Sequence, residues 1–125
     1  VTRINLIDPA LLHTKHLVAE YRELPRVFKL VEAAQARGLT PDTVRIPKEY
    51  VMGTGHVTFF YNKLSFLKKR FKLIVAEGMK RGYNFQHTDT PVCDVALHWW
   101  GEWIPSEAEI TRNVNRIKER MPRNV

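Results

Sequence analysis

The chain has 125 residues, with 20 Lys and Arg against 13 Asp and Glu for a formal net charge of +7, a length that suits one domain spanning residues 1–125. Hydrophobic residues at 44% and charged residues at 26% exclude wholesale disorder. No apolar run approaches the roughly eighteen residues of a membrane span, and the N-terminus lacks the long apolar stretch of a secretion signal, so a cytoplasmic protein is expected.

The first helical stretch is expected from about Thr14 to Arg37, where Leu17, Tyr21, Leu24, Phe28 and Val31 recur along one helical face. Gly38 is its natural stop. Pro25 lies inside the pattern, removes the hydrogen bond to the Tyr21 carbonyl, and predicts a kink. Leu39 to Gly55 reads as irregular. Asn62, a fair N-cap, opens a second helix that runs to Arg81 with Leu64, Leu67, Phe71, Ile74 and Gly78 on its apolar face. Val57 to Tyr61 reads as that helix's first turns in preference to a strand. Tyr83 to Pro105 is again irregular and contains Trp99, Trp100 and Trp103. Ser106 and Glu109 then form a capping box before a third helix whose apolar face is Ile110, Val114, Ile117 and Met121. The pattern predicts an all-α, compact single domain of three main helices with long irregular loops.

Charge is uneven along the chain. The second helix holds Lys63, Lys68, Lys69, Arg70, Lys72, Lys80 and Arg81 against Glu77 alone, nearly the whole surplus. Arg22, Arg26 and Lys29 form a ridge on the first helix, and Arg116 and Arg120 pair on the third. Any one of these reads as a solvated face. Together they favour a polyanion, and a nucleic-acid duplex presents its phosphates at regular intervals.

Glu23 is an acid inside this basic surface. It either screens its arginine neighbours or is a carboxylate with chemical work beside a nucleic-acid backbone. His13, His16 and His56 complete no known zinc spacing. Gly53-Thr-Gly-His56 lacks the lysine of a phosphate loop and reads as a turn. Cys93, the single cysteine, excludes an intrachain disulfide and reads as an inert thiol. The tryptophans read first as core, with stacking on extrahelical bases as the alternative.

Thr2-Arg-Ile-Asn-Leu6, Ala19-Glu-Tyr-Arg-Glu-Leu-Pro-Arg-Val-Phe28 and Gly55-His-Val-Thr-Phe-Phe-Tyr61 resemble the phage endonuclease V family. Lys80-Arg-Gly82, Ile104-Pro105 and Glu107-Ala108 extend the similarity over nearly the whole chain. These are pyrimidine-dimer DNA glycosylases with abasic-site lyase activity, built as compact three-helix domains. The resemblance implies that Thr2 supplies its α-amino group as nucleophile and that Glu23 is the catalytic carboxylate. It implies that Arg3, Arg22 and Arg26 grip phosphates, that His16 sits near the reaction centre, and that Arg116 and Arg120 contact the DNA backbone. Arg3, Arg22 and Arg26 are then expected near the amine, where like charge favours its neutral form. The implied partner is double-stranded DNA with a damaged or abasic site, with no metal or diffusible cofactor needed. The sequence gives no strong sign of an oligomer, so a monomer is the default expectation.

Two features depart from the family pattern. Val1 precedes Thr2, which is expected if a non-standard start codon is read literally and the initiator is removed before a small residue. The phage enzyme also continues into an aromatic and basic tail where this chain has Met121 to Val125, and Trp99, Trp100 and Trp103 are candidates to compensate. Two other functions remain open at this level. One is a non-catalytic DNA-binding protein that retains the fold; the other is a metal-dependent nuclease using His13, His16 and His56.

Overall fold

In the computed structural model, which describes residues 3–121, the α-helices are α1 (Thr14–Glu23), α2 (Arg26–Ala36), α3 (His56–Phe59), α4 (Leu64–Lys80) and α5 (Glu107–Glu119). Short 3-10 turns occupy Pro9–Leu11 and Leu97–Trp99, and the described residues contain no strand, only an isolated bridge between Lys63 and Trp100. The all-α expectation is met, with five helices among the described residues where three were expected.

The expected kink at Pro25 is a break. Proline has no amide hydrogen for the Tyr21 carbonyl, so α1 closes with Leu24 N–H on the Glu20 carbonyl at 2.9 Å. The chain restarts through Val27 on Leu24 and Phe28 on Pro25, both at 3.2 Å. The apolar face survives the break, because Leu17, Leu24, Phe28 and Val31 are all fully buried. Gly38 follows α2 at φ 81°, the left-handed geometry expected of a helix stop.

The second expected helix is also divided. Val57 to Phe59 are helical as preferred, but they belong to the separate four-residue α3, and a turn precedes α4. Asn62 is not the N-cap. Lys63 occupies that position, while the Asn62 carbonyl accepts the Gly101 amide at 3.0 Å and its side chain accepts Lys63 Nζ at 2.9 Å. A Cβ on residue 101 would collide with the Asn62 carbonyl, so this close approach requires glycine.

The core lies between α2, α3 and α4, around Phe28, Phe59, Phe60, Leu67 and Phe71. All three tryptophans pack there. Trp99 is fully buried and donates its indole N–H to Gln35 at 3.1 Å. Trp100 meets Phe28, and Trp103 lies against Tyr50, Phe59 and Phe66. Their rings therefore serve packing, and the compensating role on DNA is not supported by their positions.

Both halves of the Ser106–Glu109 capping box form. The face that α5 buries is nevertheless not the apolar one expected. Glu109 and Asn113 are the buried residues, Ile110, Val114 and Ile117 are half-buried, and Met121 is 38% exposed. The reason is what α5 packs on. Glu109 and Asn113 meet irregular segments whose backbone amides must find acceptors, which a purely apolar face does not offer, while Ile117 packs against Leu12, Leu17 and Ile74.

Candidate active site

The segment from Arg3 to Ile7 has no helix or strand to satisfy its backbone, so side chains from four directions do it. Ile4 N–H donates to His56 Nε2 at 2.8 Å, and the Ile4 carbonyl accepts the Tyr50 hydroxyl at 2.8 Å. Leu6 N–H donates to Asn113 Oδ1 at 2.6 Å, and Arg70 donates to the Ile7 carbonyl. The Asn5 side chain accepts from Asn113 Nδ2 and donates to Glu20 Oε1, each at 2.9 Å. Buried polar groups left unpaired would each cost about 1–3 kcal/mol, so this network fixes the segment closely.

The pinned segment forms one side of a cavity of about 530 Å³. Arg3 and Asn5 line it from this segment, Lys15, His16, Glu20 and Glu23 from α1, and Arg116 and Arg120 from α5 and its end. Of the expected site residues, the cavity thus unites Arg3, His16, Glu23, Arg116 and Arg120. Thr2 lies outside the described residues. Burial lowers the Arg3 pKa, Arg116 and Arg120 lower it further by like charge, and the Glu23 carboxylate opposes them.

His16 joins the two walls. Its Nε2–H donates to the Arg120 carbonyl at 3.3 Å, since a carbonyl can only accept. Its Nδ1, like Arg116 Nε, is buried without a hydrogen-bond partner among the described residues. Burial lowers the pKa of His16, the Arg120 bond partly opposes this, and His13, Lys15 and Arg3 lower it further.

Arg22 and Arg26 stand elsewhere. With Lys29 they line a second cavity of about 420 Å³, together with Tyr21, Pro25, Phe71, His87 and Asp89. Successive residues point about 100° apart on a helix, so Arg22 and Glu23 serve different sides of α1. The arginines whose charge acts on Arg3 are Arg116 and Arg120, while Arg22 and Arg26 line the other cavity; the amine that Arg3, Arg22 and Arg26 were expected to flank lies outside the described residues.

The basic second helix requires a larger correction. Arg70 is buried and paired with Glu20 at 2.8 Å. Arg81 pairs with Glu77 and turns back onto the carbonyls of Pro9, Ala10 and Leu12. Lys63 bonds the Phe59 carbonyl and lies 3.8 Å from the centre of the Phe59 ring, and burial lowers its pKa to about 8. Lys68 and Lys69 meet Asp89 and Glu102 at the surface. Much of the charge on this helix therefore holds the fold together.

The three histidines do not converge. His56 uses both ring nitrogens on backbone, accepting from Ile4 and donating to Val51, while His13 Nδ1 accepts the Lys15 amide as the N-cap of α1. No group of three or more His, Cys, Asp or Glu is placed to hold a metal among the described residues. Gly53 to His56 is the turn expected. Cys93 donates to the Phe28 carbonyl, and burial pushes its thiol up to about 11, which suits an unreactive group.

Asn5, Glu20, Tyr50 and Asn113 were not singled out in the sequence, and Arg70 was counted there only among the cations of the second helix. Only Glu20 left a signal there: it falls between Leu17 and Leu24 on the spacing of the buried face of α1. An acid on that stripe needs a buried cation, and Arg70 on the corresponding face of α4 supplies one.

Among the described residues, no helix is long and apolar enough to cross a membrane. A family model described as pyrimidine dimer DNA glycosylase matches residues 1–91, which include Arg3, Glu23 and all of α1 to α4. The chain belongs to the pyrimidine dimer DNA glycosylase family, and its activity class is that of a DNA-repair glycosylase.

Proposed function

We propose that the protein excises ultraviolet-induced cyclobutane pyrimidine dimers and then cuts the strand as an abasic-site lyase, using the amine of Thr2 as nucleophile. The supporting observation is the first cavity. It sets Glu23 among Arg3, Arg116 and Arg120, and one wall is the pinned segment that leads directly to Thr2.

The neutral amine attacks C1′ of the damaged nucleotide. The glycosidic C1′–N bond breaks, and the base leaves with the bonding pair and takes up a proton. The amine loses its own proton as the sugar ring opens, giving an imine at C1′. Glu23 moves protons during ring opening and offsets the positive charge of the iminium. The iminium acidifies C2′–H; removal of that proton breaks the C3′–O bond by β-elimination, and water then releases the sugar from the amine. Arg3, Arg116 and Arg120 hold phosphates on one side of α1, and Arg22, Arg26 and Lys29 hold them on the other.

Borohydride reduction in the presence of abasic duplex DNA tests this. A covalent protein–DNA adduct that forms only with reductant is expected. Strand cleavage without an adduct and abolished by chelators would favour a metal-dependent nuclease. Binding without cleavage would favour a non-catalytic DNA-binding protein.

A further inference from the structure

Ile4 is held by both polar atoms of its main chain. Its N–H donates to His56 Nε2 and its carbonyl accepts the Tyr50 hydroxyl, each at 2.8 Å, and its side chain is fully buried. The two bonds fix successive peptide planes, Arg3–Ile4 and Ile4–Asn5. Burial of the side chain alone sets how deep the segment lies. It leaves the direction of the exiting chain to φ and ψ, which the two bonds settle.

Both partners are themselves constrained. His56 donates Nδ1–H to the Val51 carbonyl at 2.8 Å, which keeps the lone pair of Nε2 free for Ile4. Tyr50 donates its amide to Glu109 Oε2 at 2.7 Å, and its carbonyl accepts Arg112 at 3.1 Å, so α5 holds it from two sides. The rings of Tyr50 and His56 meet edge to face, with centroids 5.2 Å apart. Neither residue lines the cavity.

We infer that Tyr50 and His56 are positioning residues for the reaction: they orient the Arg3–Ile4–Asn5 backbone so that the N-terminal amine enters the cavity in attack geometry. This rests on the amine reading given above. Between the Ile4 amide and the amine of Thr2 lie two residues, a lever of about 7 Å. Rotating the Arg3–Ile4 plane by about 10° moves the end of that lever by about 1 Å, a displacement that costs on the order of a hundredfold in rate.

The test is single-turnover formation of the borohydride-trapped adduct on abasic duplex, beside the Kd for a duplex with an uncleavable tetrahydrofuran site. Tyr50→Phe keeps the ring and removes only the hydroxyl. His56→Leu removes the acceptor, and His56→Gln returns an oxygen near the position of Nε2. With each variant held well below its unfolding midpoint, Tyr50→Phe and His56→Leu are expected to slow adduct formation at least about tenfold with Kd within about twofold, and His56→Gln to recover most of the rate. Folded Tyr50→Phe protein trapping DNA at the wild-type rate overturns the positioning role while leaving the amine reading intact. Wild-type protein that forms no adduct overturns the amine reading, and the positioning role with it.

Discussion

The Glu20 carboxylate accepts two hydrogen bonds from the Arg70 guanidinium, from Nε at 2.8 Å and Nη2 at 3.2 Å, with both side chains buried. Arg70 also reaches the Ile7 carbonyl and Glu20 the Asn5 amide, so the pair ties α1, α4 and the N-terminal segment together. Removing one partner strands a buried charge. Glu20→Ala is therefore expected to cost about 3–5 kcal/mol in a urea unfolding midpoint at constant slope, whereas replacing both residues by apolar ones recovers much of that loss. A loss below about 1 kcal/mol for Glu20→Ala would show that the pair is not a buried anchor.

Glu23, one turn further along α1, is half-buried and faces the cavity. Its amide variant should separate stability from chemistry. Glu23→Gln is expected to unfold within about 0.5 kcal/mol of wild type and to bind abasic-analogue DNA as tightly, yet to lose strand cleavage. Undiminished cleavage removes Glu23 from the proposed role.

The distribution of free charge gives a prediction about salt. Arg116 and Arg120 line the cavity, Arg116 with a 3.4 Å contact to Glu119, while Lys68 and Lys69 meet Asp89 and Glu102 outside it. For every phosphate that a variant no longer neutralises, the slope of log affinity against log salt falls by about 0.9. Arg116→Ala and Arg120→Ala should each reduce the slope by about 1, and Lys68→Ala with Lys69→Ala should change it less than either. The opposite ranking, from titrations between low and moderate salt, would return the DNA interface to α4.

Acid should loosen the N-terminal segment. His56 is faced by Tyr50, Arg3 and Arg116; burial lowers its pKa, its bond to Val51 partly opposes this, and the two arginines lower it further. Below about pH 6.5 the unfolded chain takes up a proton that the folded chain resists. Stability is thus complete above that pH and is lost as the pH falls toward the folded-state value. Protonation at Nε2 also removes the acceptor of the Ile4 amide. His56→Gln should flatten the decline in unfolding midpoint between about pH 6.5 and 5, and a slope identical to wild type would assign that decline to other groups.

What the sequence shows of this molecule follows the range of the interactions. The buried faces of α1, α2 and α4 and the capping box before α5 are local patterns, set by helical periodicity and a four-residue motif, and they are legible in the order of the residues alone. Family resemblance led to the expectation of Arg3, His16 and Glu23 near one centre and of Arg116 and Arg120 as backbone contacts; that α5 closes the same cavity was not legible, since spacing alone places no residue of α5 beside α1. The fate of the cations on α4 was not legible. A lysine or arginine reads the same in sequence whether it faces solvent or, like Arg70, a buried acid 50 residues away. The polar inner face of α5 escaped for a related reason: Asn113 is buried because irregular backbone more than 100 positions earlier needs its amide.

The central claim is that the N-terminal amine, and no other, attacks the sugar. Lys15 also lines the cavity and carries a second primary amine, so trapping alone does not identify the nucleophile. Proteolysis of the reduced adduct followed by mass mapping of the DNA-bearing peptide does. Attachment at the α-amine of Thr2, with Lys15→Ala still trapping DNA, is the result expected. Attachment at Lys15 would contradict the claim directly.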